Sequence, residues 1–188
     1  NTIASGLTSH AEGFETKAYS DNSHAEGSQT TASGRNSHAE GRNSIASGDD
    51  SHAEGVGTTA SNDGSHAEGN NTQANGINSH AEGVSTIASG YASHAEGYNT
   101  QATGDHSHAE GDTTTASGYG SHAGGRGFKD SKVIANGDTS FAHFRVTNDL
   151  GTIGSYGDYS VIIGGNDHNI GAGSTSSGIF AGSDNIIN

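Results

Sequence analysis

A five-residue motif, Ser-His-Ala-Glu-Gly, returns every 14 residues along the first two thirds of the chain. Its copies begin at Ser9, Ser23, Ser37, Ser51, Ser65, Ser79, Ser93 and Ser107, and a further copy at Ser121 has Gly124 in place of Glu. A looser motif of the form Thr-x-Ala-x-Gly, as in residues 30–34, lies between the copies. A short, fixed period is typical of a solenoid. Residues 1–125 are therefore predicted to form regular turns of 14 residues.

The spacing of glycine and alanine predicts short strands. A glycine about every seven residues disfavours a helix, and five-residue pieces that end in Gly favour strands joined by tight turns. Because alternate residues of a strand face opposite sides, Ser, Ala and Gly of the first motif should face inward, and His and Glu outward. The first-motif glycine, starting with Gly13, predicts a turn with positive φ or close packing. Asn62 replaces the second-motif glycine in one copy, which predicts positive φ there too.

Composition limits the possible partners and site types. The chain has no cysteine, which excludes disulfides, thiolate metal sites and a cysteine nucleophile. Only 28% of the residues are hydrophobic, so one chain buries little apolar surface and oligomerisation is expected. A net charge of −14 argues against nucleic acid. Without a membrane-length apolar run or a signal-peptide pattern, no membrane contact is expected within this chain. It has no methionine and starts inside a repeat, so it is expected to be part of a longer protein.

The repeat changes in the last third of the chain. Residues 126–130 are predicted to be an insertion, after which the rhythm resumes with Phe141 in a His place. Residues 145–159 look irregular. The stretches that begin at Ser160 and Ser177 form a longer repeat of 17 residues. We therefore predict three parts: regular repeats over 1–125, an insertion with transitional turns over 126–159, and repeats with an apolar outward stripe over 160–188.

The alternation of the two motifs resembles the head domain of trimeric autotransporter adhesins, the YadA-like left-handed parallel β-roll. The resemblance implies an all-β solenoid assembled as a parallel homotrimer, in which a Ser-Val-Ala-Ile-Gly strand lines the trimer interface with its Val and Ile. This chain has His and Glu in those places in its first eight copies of the motif, and His122 with Gly124 in the ninth. By phase, the predicted interface positions are His10, Glu12, His24, Glu26, His38, Glu40, His52, Glu54, His66, Glu68, His80, Glu82, His94, Glu96, His108, Glu110, His122, Phe141, His143, Val161, Ile163 and Phe180.

The His and Glu positions are the main candidates for chemistry. Turns stacked ~4.8 Å apart would place the His side chains in one ladder and the Glu side chains in another. A hydrogen-bonded His–Glu network at a subunit interface is the favoured interpretation, in which a bonded Glu has a lowered pKa and a charged His a raised one. Binding of Zn²⁺ or Ni²⁺ by imidazoles around a three-fold axis is the alternative. We assign no metal and no cofactor from the sequence.

A non-enzymatic function is predicted. Ser and His of one motif face opposite sides of a strand and cannot form a hydrolytic triad together. The chain is predicted to be a fibre or head segment of an extracellular adhesin, acting as a rigid spacer and attachment surface for an unidentified host-surface or matrix ligand. The motif wording also resembles tail-appendage proteins of phages and prophages of Gram-positive bacteria, so a virion is the other predicted location. A polysaccharide-degrading tailspike-like enzyme and a metal-binding His/Glu ladder are the alternative functions.

Overall fold

Short parallel strands joined by tight turns build the protein, which is described by a computed structural model over residues 1–148 and 153–188. The chain divides into two units, residues 1–92 and 93–188. In each unit, alternate strands belong to two different parallel sheets, so that each turn of the solenoid adds one strand to each sheet. The described residues contain no helix, and hence none that could cross a membrane. The all-β parallel solenoid predicted from the repeats is confirmed.

The first unit repeats one turn without variation in register. Each paired strand residue has its partners 14 positions away; His66, for example, pairs with His52 on one side and with His80 on the other. The even-numbered strands form the sheet of longer strands, and the odd-numbered strands form the second sheet. The strands are β1 (Ile3–Ala4), β2 (His10–Phe14), β3 (Lys17–Ala18), β4 (His24–Ser28), β5 (Thr31–Ala32), β6 (His38–Arg42), β7 (Ile45–Ala46), β8 (His52–Val56), β9 (Thr59–Ala60), β10 (His66–Asn70), β11 (Gln73–Ala74), β12 (His80–Val84) and β13 (Ile87–Ala88).

The second unit is built from two parallel sheets of the same kind, and its turns lengthen toward the C-terminus. His122 pairs with Phe141, 19 residues later, and Phe141 pairs with Val161, 20 residues later. Ile163 then pairs with Phe180, which confirms the 17-residue repeat. The strands are β14 (His94–Tyr98), β15 (Gln101–Ala102), β16 (His108–Ala109), β17 (Thr114–Ala116), β18 (His122–Arg126), β19 (Val133–Ala135), β20 (Phe141–Arg145), β21 (Ile153–Ser155), β22 (Val161–Asn166), β23 (Asn169–Ile170), β24 (Gly178–Phe180) and β25 (Ile186–Ile187).

The extra residues of the longer turns lie between strands. Around the predicted insertion, an antiparallel bridge between Phe128 and Ser131 closes a small loop before β19. The prediction that 145–159 is irregular was wrong for Ile153–Ser155, which form β21 and pair with β19. Residues 149–152 lie outside the described part of the chain. The boundaries of the three predicted parts stay predictions.

A narrow core of small side chains separates the two sheets. The alanines of both motifs are fully buried from Ala18 to Ala142, and the Ser and Thr that begin most motifs are buried beside them. The Ser hydroxyl is satisfied locally: Ser51 Oγ donates to the carbonyl oxygen of Gly48 at 2.6 Å. Ile162 and Ile179 fill the core positions of the last turns, where the repeat is longer. The predicted inward face of the first motif is confirmed for Ser and Ala. It was wrong for the glycine, since Gly27, Gly41 and Gly69 are exposed at the turn where the strand ends.

The two glycine columns serve different purposes. First-motif glycines have φ between 94° and 112°, and a Cβ on Gly69 would lie 2.2 Å from the carbonyl oxygen of Gly83. Positive φ and close packing, the two predicted reasons for a glycine here, therefore both hold at this turn. The prediction of positive φ at Asn62 was wrong, because the left-handed conformation falls on the residue before each motif, such as Asn22 or Asn71. In the second motif, glycine instead allows the backbone of the next turn to approach closely.

Candidate functional site: the His/Glu stripe

The outward side chains of the longer strands form the feature that we call the His/Glu stripe. They face outward because Ala, between His and Glu, faces the core. In the inner turns, the His and Glu side chains are about one third exposed, for example 34% in His38 and 33% in Glu40, because neighbouring turns cover them. His10, in the first turn, is 64% exposed. The first unit contributes His10, Glu12, His24, Glu26, His38, Glu40, His52, Glu54, His66, Glu68, His80 and Glu82. The second contributes His94, Glu96, His108, Glu110 and His122, followed by Phe141, His143, Val161, Ile163 and Phe180.

The imidazole rings form a stack because the strands are in register. The centroids of His38 and His52 lie 4.9 Å apart, and their ring planes differ by 3°. The pair His94 and His108 in the second unit has the same geometry, at 4.8 Å and 3°. This separation matches the spacing of strands in a sheet. The predicted His ladder is therefore present within each unit.

The carboxyl groups form a second column in which like groups meet. Hydrogen bonds with Glu54 and Glu26 raise the pKa of Glu40 to about 7, and hydrogen bonds with Glu82 and Glu54 raise that of Glu68 to about 7. The hydrogen bond with Glu40 lowers the pKa of both Glu26 and Glu54. Lowered and raised carboxyl pKa values thus alternate from Glu26 to Glu68. The prediction of a lowered pKa for every bonded Glu was wrong, because the register places Glu beside Glu.

The pKa values of the imidazoles are lowered, whereas a charged His–Glu pair was predicted to raise them. Burial lowers the pKa of His38 and His52, and a neighbouring imidazole in the stack lowers each further. His38 Nε2 lies 3.7 Å from Glu26 Oε1, which is too long for a good hydrogen bond. A raised His pKa was therefore the wrong expectation here. At neutral pH these rings are uncharged, and their closest carboxylates belong to the preceding turn of the same chain.

The stripe becomes apolar in the last turns of the second unit. Val161, Ile163 and Phe180 face outward. Val161 pairs with Phe141 of the turn before, and Ile163 pairs with Phe180 of the turn after. The exposed fraction is 47% for Ile163 and 70% for Phe180. Large apolar side chains in a row on the surface indicate a contact with another molecule. Their predicted place at a trimer interface stays a prediction.

A hydrolytic arrangement of Ser and His does not form within a motif. Ser37 is 1% exposed and its Oγ donates to the carbonyl oxygen of Gly34 at 2.6 Å. His38 lies on the opposite, outward face of the same strand. The hydroxyl is thus turned away from the imidazole that would have to activate it.

Several neighbouring groups of the stripe place possible metal ligands close together. In the group of Glu26, His38 and Glu40, and in that of Glu110, His122 and His143, one ligand atom from each residue lies within 4.8 Å of the others. The second group lies where Gly124 interrupts the Glu column. Sequence reasoning missed this group, although the exchange of Glu for Gly was its visible signal.

Comparison with known families agrees with the fold. Residues 25–51, 39–61 and 81–100 match the family model described as the YadA head domain repeat. The strands in these stretches have the 14-residue register of a parallel solenoid. The chain carries YadA-like head repeats. The comparison with curated proteins found no match.

The YadA-like repeats confirm the resemblance that the two alternating motifs suggested. The YadA head is a structural adhesin domain of trimeric autotransporters, built as a β-roll of short repeats. The match covers turns with His and Glu in the outward positions. A charged stripe is therefore compatible with the YadA-like repeat. The resemblance to phage appendages and the left-handed coil stay predictions.

Proposed function

We propose that this protein is a non-enzymatic structural segment of an extracellular adhesin, in which three parallel chains meet along the His/Glu stripe. One observation carries the proposal: the YadA-like turns present a uniform outward stripe on the longer strands, while the short strands carry varied residues such as Lys17, Ile45 and Gln73. A uniform surface beside a varied one is expected where one face packs against identical copies and the other faces solvent.

The protonation of the stripe supports its burial between chains. Bringing ionised groups out of water is costly unless each is paired. Glu40 and Glu68, with pKa values of about 7, retain their protons in mildly acidic solution. The imidazoles of His38 and His52 are uncharged at neutral pH, since burial lowers their pKa. The stripe therefore carries less charge than its composition suggests, which reduces the cost of placing His and Glu where the family has Val and Ile.

The thin core also supports assembly. Ala, Ser and Thr fill most of the interior, so a single chain gains little from burying its own side chains. The apolar end of the stripe, with Ile163 and Phe180, would bury its surface around the axis and hold the three chains together. The segment acts as a spacer whose varied outer face is available to a host-surface or matrix ligand. It is displayed on a cell surface, or on a virion if the flanking sequence is that of a tail appendage, without contact to nucleic acid or membrane.

The assembly is tested by sedimentation equilibrium and by one pair of matched variants. The wild type should sediment at three times the chain mass of 18.8 kDa. Phe180→Ser should dissociate at higher protein concentration than the wild type, because each chain loses an apolar contact of about 1.5–3 kcal/mol. Ile186→Ser removes a side chain of similar exposure from the other sheet near the same end of the chain, and should assemble like the wild type.

Two results would contradict the proposal. A folded wild-type monomer at all concentrations would exclude the trimer. If Phe180→Ser and Ile186→Ser weakened assembly equally, the interface between chains would not lie along the stripe. Depolymerisation of a capsular polysaccharide by the purified protein would overturn the non-enzymatic part independently of the assembly.

A further inference from the structure

The Glu column of the His/Glu stripe is first interrupted at Gly124, in the second unit. The Glu column there contains Glu96 and Glu110, then Gly124, and then His143, which pairs with Gly124 in the register of the sheet. A glycine and an imidazole thus follow two carboxylates in one outward column. An interruption at this point calls for a local explanation.

The glycine at 124 leaves space for two neighbouring side chains, while its backbone conformation is open to any residue. Its φ lies outside the left-handed region, unlike that of the neighbouring Gly125. A Cβ at position 124 would lie 2.8 Å from His143 Nδ1 and 3.0 Å from Glu110 Oε1. A side chain here would therefore push these two groups aside. Gly124 lets a carboxylate and an imidazole from turns on either side of it approach each other.

A third group completes the cluster. His122 Nε2 lies 3.2 Å from Glu110 Oε1, and His143 Nδ1 lies 3.7 Å from the same oxygen. The ring of His122 is tilted by 55° from that of His108, whereas His94 and His108 are parallel within 3°. His122 has thus left the stacked orientation.

The apolar residue at the next His position helps to hold this ring. Phe141 pairs with His122 in register, and the two ring centroids lie 4.8 Å apart. An imidazole at position 141 would extend the ladder and offer a further polar group. Phe141 ends the ladder and covers one side of His122 with an apolar face. The orientation of His122 is therefore set by its neighbours in the turns on either side.

We propose that Glu110, His122 and His143 bind a divalent transition-metal ion of the Zn²⁺ type. Two imidazoles and one carboxylate are a donor set that suits Zn²⁺, whereas Ca²⁺ and Mg²⁺ prefer oxygen ligands. Tetrahedral zinc, with ligand bonds of about 2.0–2.2 Å, places ligand atoms about 3.3 Å apart. The separations of 3.2 and 3.7 Å are close to this value. In the single chain the three side chains are 30–49% exposed, so that an ion can enter before assembly and water can take the fourth position.

The regular part of the stripe lacks this combination of features. In the group of Glu26, His38 and Glu40, carboxyl groups share hydrogen bonds with other carboxyls of the column. The ring of His38 is stacked and parallel to the rings on both sides. At Gly124 the neighbouring carboxyl is missing, and an imidazole from the next turn occupies the space. His38 belongs to the same stripe but lies outside the cluster, and it is therefore the matched control for the cluster histidines.

The site does not depend on the trimer, since all three ligands come from one chain. The test uses the whole chain after treatment with a chelator, titrated with Zn²⁺ in competition with a chromophoric chelator. The wild type should bind one ion per chain, and Co²⁺ in the same site should give the visible bands of a four-coordinate ion. His143→Gln and the near-isosteric Glu110→Gln should each weaken binding by about tenfold or more. His38→Gln should leave it unchanged.

The outcomes separate a built site from general binding to the stripe. Loss in both cluster variants with retention in His38→Gln supports the proposal. Failure of the wild type to bind one ion, or equal binding by Glu110→Gln and the wild type, overturns it. Equal loss in His38→Gln and His143→Gln also overturns it, because the ion would then bind along the whole ladder. Circular dichroism of each variant verifies that the sheets are retained.

Discussion

Replacing Glu40 by Gln should stabilise the protein at alkaline pH and leave it unchanged in acid. In the folded chain, hydrogen bonds with Glu54 and Glu26 raise the pKa of Glu40 from 4.5 to about 7. The folded state therefore holds a proton that the unfolded chain releases. The stabilisation from this proton is complete below pH 4.5 and is lost as the pH rises through about 7. Gln in the same place donates its amide hydrogens to both neighbours at every pH.

The size of the effect follows from the change in pKa. At about 1.36 kcal/mol for each pKa unit, the rise from 4.5 to about 7 corresponds to about 3.4 kcal/mol. The Glu40 side chain is 33% exposed, and solvent screening reduces such interactions to about 1 kcal/mol. For a chain of this length, about 1 kcal/mol raises the melting temperature by about 2–4 °C.

The assay is thermal unfolding of Glu40→Gln and the wild type at pH 5 and pH 8, at one protein concentration because assembly contributes to stability. The lowered pKa values of His38 and His52 favour the folded state as the pH rises toward their ordinary value of 6.5, but this contribution cancels in the difference between the two proteins. Glu15→Gln, which removes the same charge away from the stripe, is the control for net charge. Equal melting temperatures of Glu40→Gln and Glu15→Gln at pH 8 would refute the raised pKa of Glu40.

Two further predictions concern the turns and the core. Gly69→Ala should cost about 3 kcal/mol or more, because its φ of 108° is strained for alanine and its Cβ would lie 2.2 Å from a carbonyl oxygen. Gly120→Ala, with φ 59° and nothing within 4 Å, should cost about 1 kcal/mol at most; similar melting of the two would contradict the clash. Ala67→Leu should lose about 1–3 kcal/mol by overpacking the buried column, whereas Gln73→Leu on the outward face should be neutral. Denaturant unfolding measures both pairs, and an unaffected Ala67→Leu would mean that the sheets can separate.

The 14-residue repeat by itself determines the fold. An inward column of Ala and an outward pair of His and Glu, both at a period of 14, can be satisfied together only by stacking equal turns in register. The same regularity carried the prediction through the insertion, since Ala135 and Ala142 keep their phase. It failed for β21, because Ile153–Ser155 has no alanine to mark the inward position. The sequence also failed to predict the backbone conformation at Asn62, because Asn is accepted in several turn positions.

The sequence thus determined which side chains repeat on each face, because a strand exposes alternate residues whatever its surroundings. It also predicted the separate His and Glu ladders, but it did not determine the protonation that follows from them. His was expected to pair with Glu, but the parallel register brings each residue beside its own kind. Rings therefore stack, and hydrogen bonds between carboxyl groups raise the pKa of Glu40. The approach of Glu110, His122 and His143 likewise depends on side-chain orientation around Gly124. Protonation and ligand geometry are set by distances between turns, and only the tertiary structure decides those distances.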